Sequence, residues 1–128
     1  YLYAAKRTAH YIMAKLALID YIRLLDLRAP ASPVAYDTTA GVCAACGLLE
    51  LSEHVDILEK ALYVQFAVRC LKAVEERFCE WDPGKDSIVS MGSARYDREY
   101  DHDVPIIYGD SFYVEGIGRL IGKDFLIW

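Results

Sequence analysis

Cys43 and Cys46 stand three residues apart, the spacing at which two thiols can share a redox disulfide or hold half of a zinc site. Their surroundings support neither use. Residues 40–47 are apolar and rich in Gly and Ala, no strand pattern leads into them, and no His or second C-x-x-C follows at zinc spacing. Four cysteines in 128 residues are too dilute for the disulfide framework of a small secreted domain. All four are therefore expected as buried free thiols acting as small hydrophobes, in a reducing compartment. The run Asp97-Arg98-Glu99-Tyr100-Asp101-His102-Asp103 offers acids at alternating places, as a calcium loop does, but it lacks the Gly of the tight turn and Arg98 opposes a cation. It reads as a solvated loop. His10 and His54 sit on or next to helical patterns with no ligand set around them, and none of the three histidines completes a triad. Acid and base pairs could come only from Asp26, Asp37, Asp82 or Asp110, and Asp37 and Asp110 stand where helix caps are needed. No Gly-rich loop ends in Lys-Ser or Lys-Thr, and Gly116, Gly118 and Gly122 fall late in a helix at the wrong spacing for a dinucleotide fingerprint. The residues call for no cofactor and no metal.

The elements that position these groups follow from periodicity. Leu2, Ala5, Ala9, Ile12 and Leu16 step by three and four, which predicts a helix over 2–18. That pattern is already running at Tyr1, with no initiating Met and no leader before it, as if the start were cut away. Residues 19–36 mix short apolar runs with Pro30 and Pro33 and read as a long connecting loop. Asp37 then caps a helix over 38–52 whose first ten residues carry almost no polar side chain on any face, so it should be an inner helix surrounded by protein. After a break at Ser52-Glu53-His54, Ile57, Ala61, Val64, Val68 and Leu71 mark the buried stripe of an outer, amphipathic helix. Trp81-Asp82-Pro83-Gly84 stops it. Residues 85–108 should be loop with one or two short strands. Gly109-Asp110-Ser111 caps a last helix from Phe112 to about Ile121, buried through Val114, Ile117, Leu120 and Ile121 and ended by Gly122. The expected fold is all-α, with about four helices in inner and outer alternation and long loops. One sector of an (α/α) barrel has this form, and so does an irregular bundle.

Composition narrows the class. With 55% hydrophobic residues and a mean hydropathy of +0.14, the chain has surface to bury and is no disordered arm. A net charge of -5 has the wrong sign for a phosphate backbone, so nucleic acid is not expected as a partner. The longest apolar run, residues 40–49, is far short of a bilayer span, so no membrane is expected either. The length suits a single unit, residues 1–128.

Two segments carry a family resemblance. Tyr36-Asp37-Thr38-Thr39-Ala40-Gly41-Val42-Cys43-Ala44-Ala45-Cys46-Gly47-Leu48-Leu49-Glu50-Leu51 resembles the Asp-Ser-Ser-Ala and Ala-Ala-x-Gly-Leu-Leu-Glu-Leu of the unsaturated glucuronyl hydrolases, glycoside hydrolase family 88. Pro105-Ile106-Ile107-Tyr108-Gly109-Asp110-Ser111-Phe112-Tyr113-Val114-Glu115 is similar to that family's closing Ile-Trp/Tyr-Gly-Asp-Tyr-Phe-x-x-Glu helix. The order and separation agree, and the similarity runs over about residues 1–120, corresponding to the last third of a family (α/α)6 barrel.

The resemblance implies that residues 1–128 form the C-terminal part of such a barrel. It also implies hydrolysis of unsaturated oligosaccharides left by polysaccharide lyases, through hydration of the C4–C5 double bond of the terminal uronic acid. The family's acid/base Asp residues precede this segment, so no catalytic residue is carried onto it, and the chain alone should be inactive. A Ser-x-x-Ser-x-Lys stretch holds the substrate's sulfate in some members, and Ser90, Ser93 and Arg95 have that spacing, with Arg in place of Lys. Two hydroxyls and a forked guanidinium suit sulfate oxygens. The family's Trp-Asp-Phe appears here as Leu25-Asp26-Leu27, and the Tyr after Gly-Asp as Ser111. The expected partners are the unsaturated oligosaccharide, glycosaminoglycan-derived, and the remainder of the barrel or a further copy of the chain; the expected setting is a bacterial cytoplasm. The related rhamnogalacturonyl hydrolases and a non-catalytic helical interaction module are the alternatives.

Overall fold

Asp37 starts its helix as a cap should: Ala40 N donates to its Oδ1 at 3.2 Å, relieving one of the free amides of the first turn. In the computed structural model, which describes residues 1–22, 32, 34–95 and 97–123, that helix is the second of four. They are α1 (Leu2–Leu16), α2 (Thr38–Ser52), α3 (Ile57–Phe78) and α4 (Ile107–Leu120). A single 3-10 turn, Glu99–Asp101, lies before α4. Among the described residues there is no strand, and the isolated antiparallel bridges Cys79–Val89 and Gly92–Val104 stand in place of the short strands expected over 85–108. The fold is all-α. Asp26, Pro30 and Pro33 of the expected loop lie outside the described residues.

α2 occupies the expected residues and forms the centre of the core through Val42, Ala45, Cys46, Leu48, Leu49 and Leu51. It is not walled in all round. Cys43, Gly47 and Glu50, spaced by four and three, form one exposed stripe along it, because α1, α3 and α4 together cover only the other sides. α3 begins at Asp56, whose Oδ1 accepts from Leu58 N at 2.9 Å. Its buried face is Tyr63, Phe66, Ala67, Cys70, Leu71 and Val74. The expected stripe was rotated from this one: Ile57 is 75% exposed, Ala61 is exposed, Val64 and Val68 are half-buried, and only Leu71 is shared. The true stripe contains a Tyr and a Cys, whose burial hydropathy does not announce.

α4 departs furthest from expectation. It starts at Ile107, five residues before Phe112, so Asp110 lies inside its first turn and caps nothing. Its buried positions are Gly109, Tyr113, Glu115 and Gly116, whereas Val114, Leu120 and Ile121 are exposed and Ile117 is half-buried. Close backbone approach decides this orientation. A Cβ on Gly116 would sit 3.1 Å from both Leu71 methyl carbons and 3.5 Å from Cys46 Sγ, so the helix comes nearest to its neighbours where it has no side chain. Gly122, with φ 71°, follows its end as expected. α1 contributes Ala9, Met13 and Leu16 to the core, with Leu2 and Ala5 exposed.

α1 and α3 run in the same direction, since Lys6 pairs with Glu59, His10 meets Tyr63 and Asp20 meets Arg77. α2 is antiparallel to both. The last turns of α1 and α3 therefore lie at the end where α2 and α4 begin, and the short turn 53–56 lies at the other end. Among the described residues no helix is long and apolar enough to cross a membrane.

Candidate functional site

Thr38, the first residue of α2, is fully buried and holds the connection 79–106 with two bonds. Its Oγ1 donates to Ser90 O at 2.6 Å and its amide to Met91 O at 3.3 Å. From the other side Asp110 of α4 accepts through Oδ1 from Ile88 N at 3.0 Å and Val89 N at 2.7 Å. The Cys79–Val89 bridge is completed by Glu80 N to Ile88 O at 2.8 Å and Ser90 N to Phe78 O at 2.9 Å. Met91 takes a left-handed φ of 60°, and Gly92 passes so close to α2 that a Cβ there would lie 2.9 Å from both Thr39 Oγ1 and the Val104 carbonyl oxygen. Only glycine fits.

This framework carries the three residues expected to bind substrate. Ser90 donates its hydroxyl to Phe78 O at 2.8 Å. Ser93, 6% exposed, donates to Tyr36 O at 2.7 Å and accepts from Asp103 N at 3.3 Å. Each hydroxyl has one proton, and both are engaged by backbone carbonyls. Arg95 projects outward with its side chain 53% exposed, its Nε 3.9 Å from Asp101 Oδ2. The structure thus brings all three onto one loop at one end of α2, with the guanidinium as the accessible group.

The candidate carboxylates do not come together. Asp37 caps α2, Asp82 accepts from Gly84 N at 2.9 Å in a turn, Asp110 holds the loop, and Asp26 lies outside the described residues. The acidic run is a 3-10 turn on an exposed loop in which Arg98 Nη1 donates to the Tyr100 hydroxyl at 2.7 Å. His10 Nε2 lies 3.0 Å from the Tyr63 hydroxyl, with the rings stacked. His54 Nε2 lies 2.9 Å from Glu50 Oε1, a carboxylate one helical turn away that the reading of the histidines passed over.

A second polar cluster lies between α2 and α4, where Cys43, Gly47, Glu50, Phe112, Glu115 and Arg119 line a cleft of about 370 Å³ open along the exposed stripe of α2. Glu115 is 2% exposed; its Oε1 accepts from Arg119 Nε at 2.9 Å, and Arg119 Nη1 reaches Glu50 Oε2 at 2.7 Å. Sequence reasoning missed this chain of charges because Glu115 and Glu50 lie on different helices. The cysteines are all free, but Cys43 is exposed and Cys79 half-buried, which corrects the expectation that all four are buried. Burial, then the charge of Glu115, pushes the Cys46 thiol up to about 12. Burial pushes Cys70 up to about 12, and Cys79 to about 11. Cys43 is also raised, first by burial and then by Glu115 and Asp37. Thiols held protonated are poor nucleophiles and poor metal ligands. Among the described residues no group of three or more His, Cys, Asp or Glu is placed to hold a metal ion.

No protein-family model matches the chain. It is 29% identical over 120 residues to the unsaturated glucuronyl hydrolase of Bacillus sp. (strain GL1), a match that takes in 91% of this chain and 32% of that protein. The crystal structure of that hydrolase, described as responsible for the degradation of glycosaminoglycan, superposes with a TM-score of 0.86 at 28% identity over 93% of this chain and 32% of that one. A structure of an unsaturated glucuronyl hydrolase variant with dGlcA-Glc-Rha-Glc gives 0.84 at 29% identity over the same shares. The hydrolase of Streptococcus agalactiae, at 22% identity and a TM-score of 0.76, shares the fold. The resemblance to unsaturated glucuronyl hydrolases therefore holds in sequence and in structure, and the four helices correspond to part of a helical (α/α) barrel. The chain spans about a third of the length of the relatives it matches.

Proposed function

We propose that this chain forms the C-terminal sector of an unsaturated glucuronyl hydrolase barrel, acting on unsaturated uronic-acid oligosaccharides released by lyases. The observation that carries the reading is the superposition of nearly the whole chain on such a hydrolase at a TM-score of 0.86 and 28% identity. In the proposed reaction a carboxylic acid delivers a proton to C4 of the terminal unsaturated uronate while water adds its oxygen to C5 and loses a proton to base. The resulting hemiketal opens and releases the next sugar. The acid/base pair is assigned to the remainder of the barrel, since Asp37, Asp82 and Asp110 of this chain are engaged in structural hydrogen bonds. The setting is proposed to be the bacterial cytoplasm.

The contribution of this sector is substrate binding by Ser90, Ser93 and Arg95. Arg95, half-exposed, supplies positive charge and a forked donor to the sulfate of a glycosaminoglycan disaccharide. A serine hydroxyl must leave its backbone carbonyl to join in, which exchanges one hydrogen bond for another, so Arg95 dominates the affinity. This anion site favours a sulfated substrate over a pectin fragment. The test is hydrolysis of sulfated and unsulfated unsaturated chondroitin disaccharides by the intact enzyme, followed as loss of the double bond's ultraviolet absorbance. Arg95→Ala is expected to raise KM for the sulfated substrate about tenfold, as loss of a charged hydrogen bond would, and to spare the unsulfated one. Equal effects on both substrates would discard the sulfate assignment.

A further inference from the structure

We infer that Asp110 is a positioning residue that sets the aim of Arg95, an inference that rests on the substrate-binding loop proposed above. Asp110 touches no proposed substrate group. Its Oδ1 takes the amides of both Ile88 and Val89, at 3.0 and 2.7 Å, immediately before Ser90. Val89 is buried, so no water can replace the lost acceptor for its amide without opening the core. On the opposite side the next two carbonyls, Ser90 O and Met91 O, are held by Thr38 of α2. Within the segment 88–91 the amides of Ile88 and Val89 are tied to α4, the carbonyls of Ser90 and Met91 to α2, and the amide and hydroxyl of Ser90 to Phe78 O at the end of α3, so it cannot shift along any one helix without losing bonds to the others. A further tie, Ser93 Oγ to Tyr36 O, precedes Arg95 by two residues. Gly92 O accepts from Val104 N and Ala94 N donates to Asp101 O, so the guanidinium leaves a loop with several ties, among which the carboxylate of Asp110 supplies the charge-assisted one at the loop's entry. The first turn of α4 also favours a negative charge at that place.

The test compares Asp110→Ala, Asp110→Asn and Arg95→Ala in the intact enzyme, reading the ratio of KM values for sulfated and unsulfated disaccharides and the hydrogen exchange of the Ile88 and Val89 amides. Asp110→Ala is expected to lower the preference for the sulfated substrate about fivefold and to speed exchange at both amides about tenfold. Asp110→Asn keeps an acceptor oxygen and is expected to restore at least half of both effects. A merely structural Asp110 would lower stability and the rates on both substrates together, leaving the ratio unmoved. If Arg95→Ala moves the ratio and Asp110→Ala does not, the positioning role is overturned and the sulfate site stands. If Arg95→Ala leaves the ratio unmoved, the sulfate site falls and the positioning role with it. Should Asp110→Ala fail to fold, Asp110→Asn decides: faster exchange at Ile88 and Val89 with the KM ratio unmoved overturns the inference.

Discussion

At the scale of single residues, an Asp that the sequence offers as a helix cap carries two different jobs at its two occurrences. Asp37 caps α2 as its sequence context announces, and Asp37→Ala should cost about 1 kcal/mol in urea unfolding. Asp110 has the same local signature, but its partners lie 22 and 21 residues earlier, and nothing in the neighbouring sequence points to them. The site loop was legible as spacing, Ser90-x-x-Ser93-x-Arg95, whereas the engagement of both hydroxyls by carbonyls was not, because backbone partners leave no mark on composition. Thiol chemistry gives a second expectation. At mildly alkaline pH a maleimide should label Cys43 first, and more slowly than free cysteine, while Cys46 and Cys70 should label only on unfolding; mass mapping of labelled peptides checks this. Glu50 gives a third. Hydrogen bonds from His54 and then Arg119 hold its carboxyl below the usual carboxylate range. The stabilisation from a depressed carboxylate is present above its unfolded value and is lost as pH falls through the folded one. Glu50→Gln should therefore flatten the acid limb of a Tm-against-pH curve, slightly, because the side chain is half-exposed and screened.

At the scale of elements, all four helices were readable, and their facing was readable only where one residue type dominates. α2 is so uniformly apolar that its limits followed from the cap, the break and the run between them. α3 offers two adjacent stripes at helical spacing, and the one with more Val and Ile is not the one that packs; Tyr63 and Cys70 are fully buried instead. α4 turns its glycines inward, which no hydropathy pattern can express, because what is buried there is backbone. Gly116→Val should cost about 1–3 kcal/mol by pressing on Leu71, whose methyls already lie 3.1 Å from the missing Cβ. Leu71→Ala, which opens a cavity at the same place, should cost about 2–5 kcal/mol. Urea unfolding followed by circular dichroism measures both.

At the scale of the whole molecule, the helix order and the two family-like segments pointed to the helical architecture of an (α/α) barrel, and the chain superposes on about a third of one. How far α2 is covered could not be read from its own residues, since coverage depends on which other helices are present. The exposed stripe Cys43, Gly47, Glu50 and the exposed Val114, Leu120 and Ile121 leave apolar surface open on both α2 and α4. The isolated chain is expected to lack hydrolase activity and to run above its monomer mass in light scattering, whereas addition of the remaining barrel should abolish that association. A stable, dilution-resistant monomer would contradict this.

The pinned loop 79–95 at one end, opposite a turn of only residues 53–56, separates two kinds of evolutionary freedom. One rim can exchange residues at little cost to the helices, while the other stays clipped tight and keeps them in register. Descendants of such a scaffold should differ in the wording of that rim far more than in melting temperature.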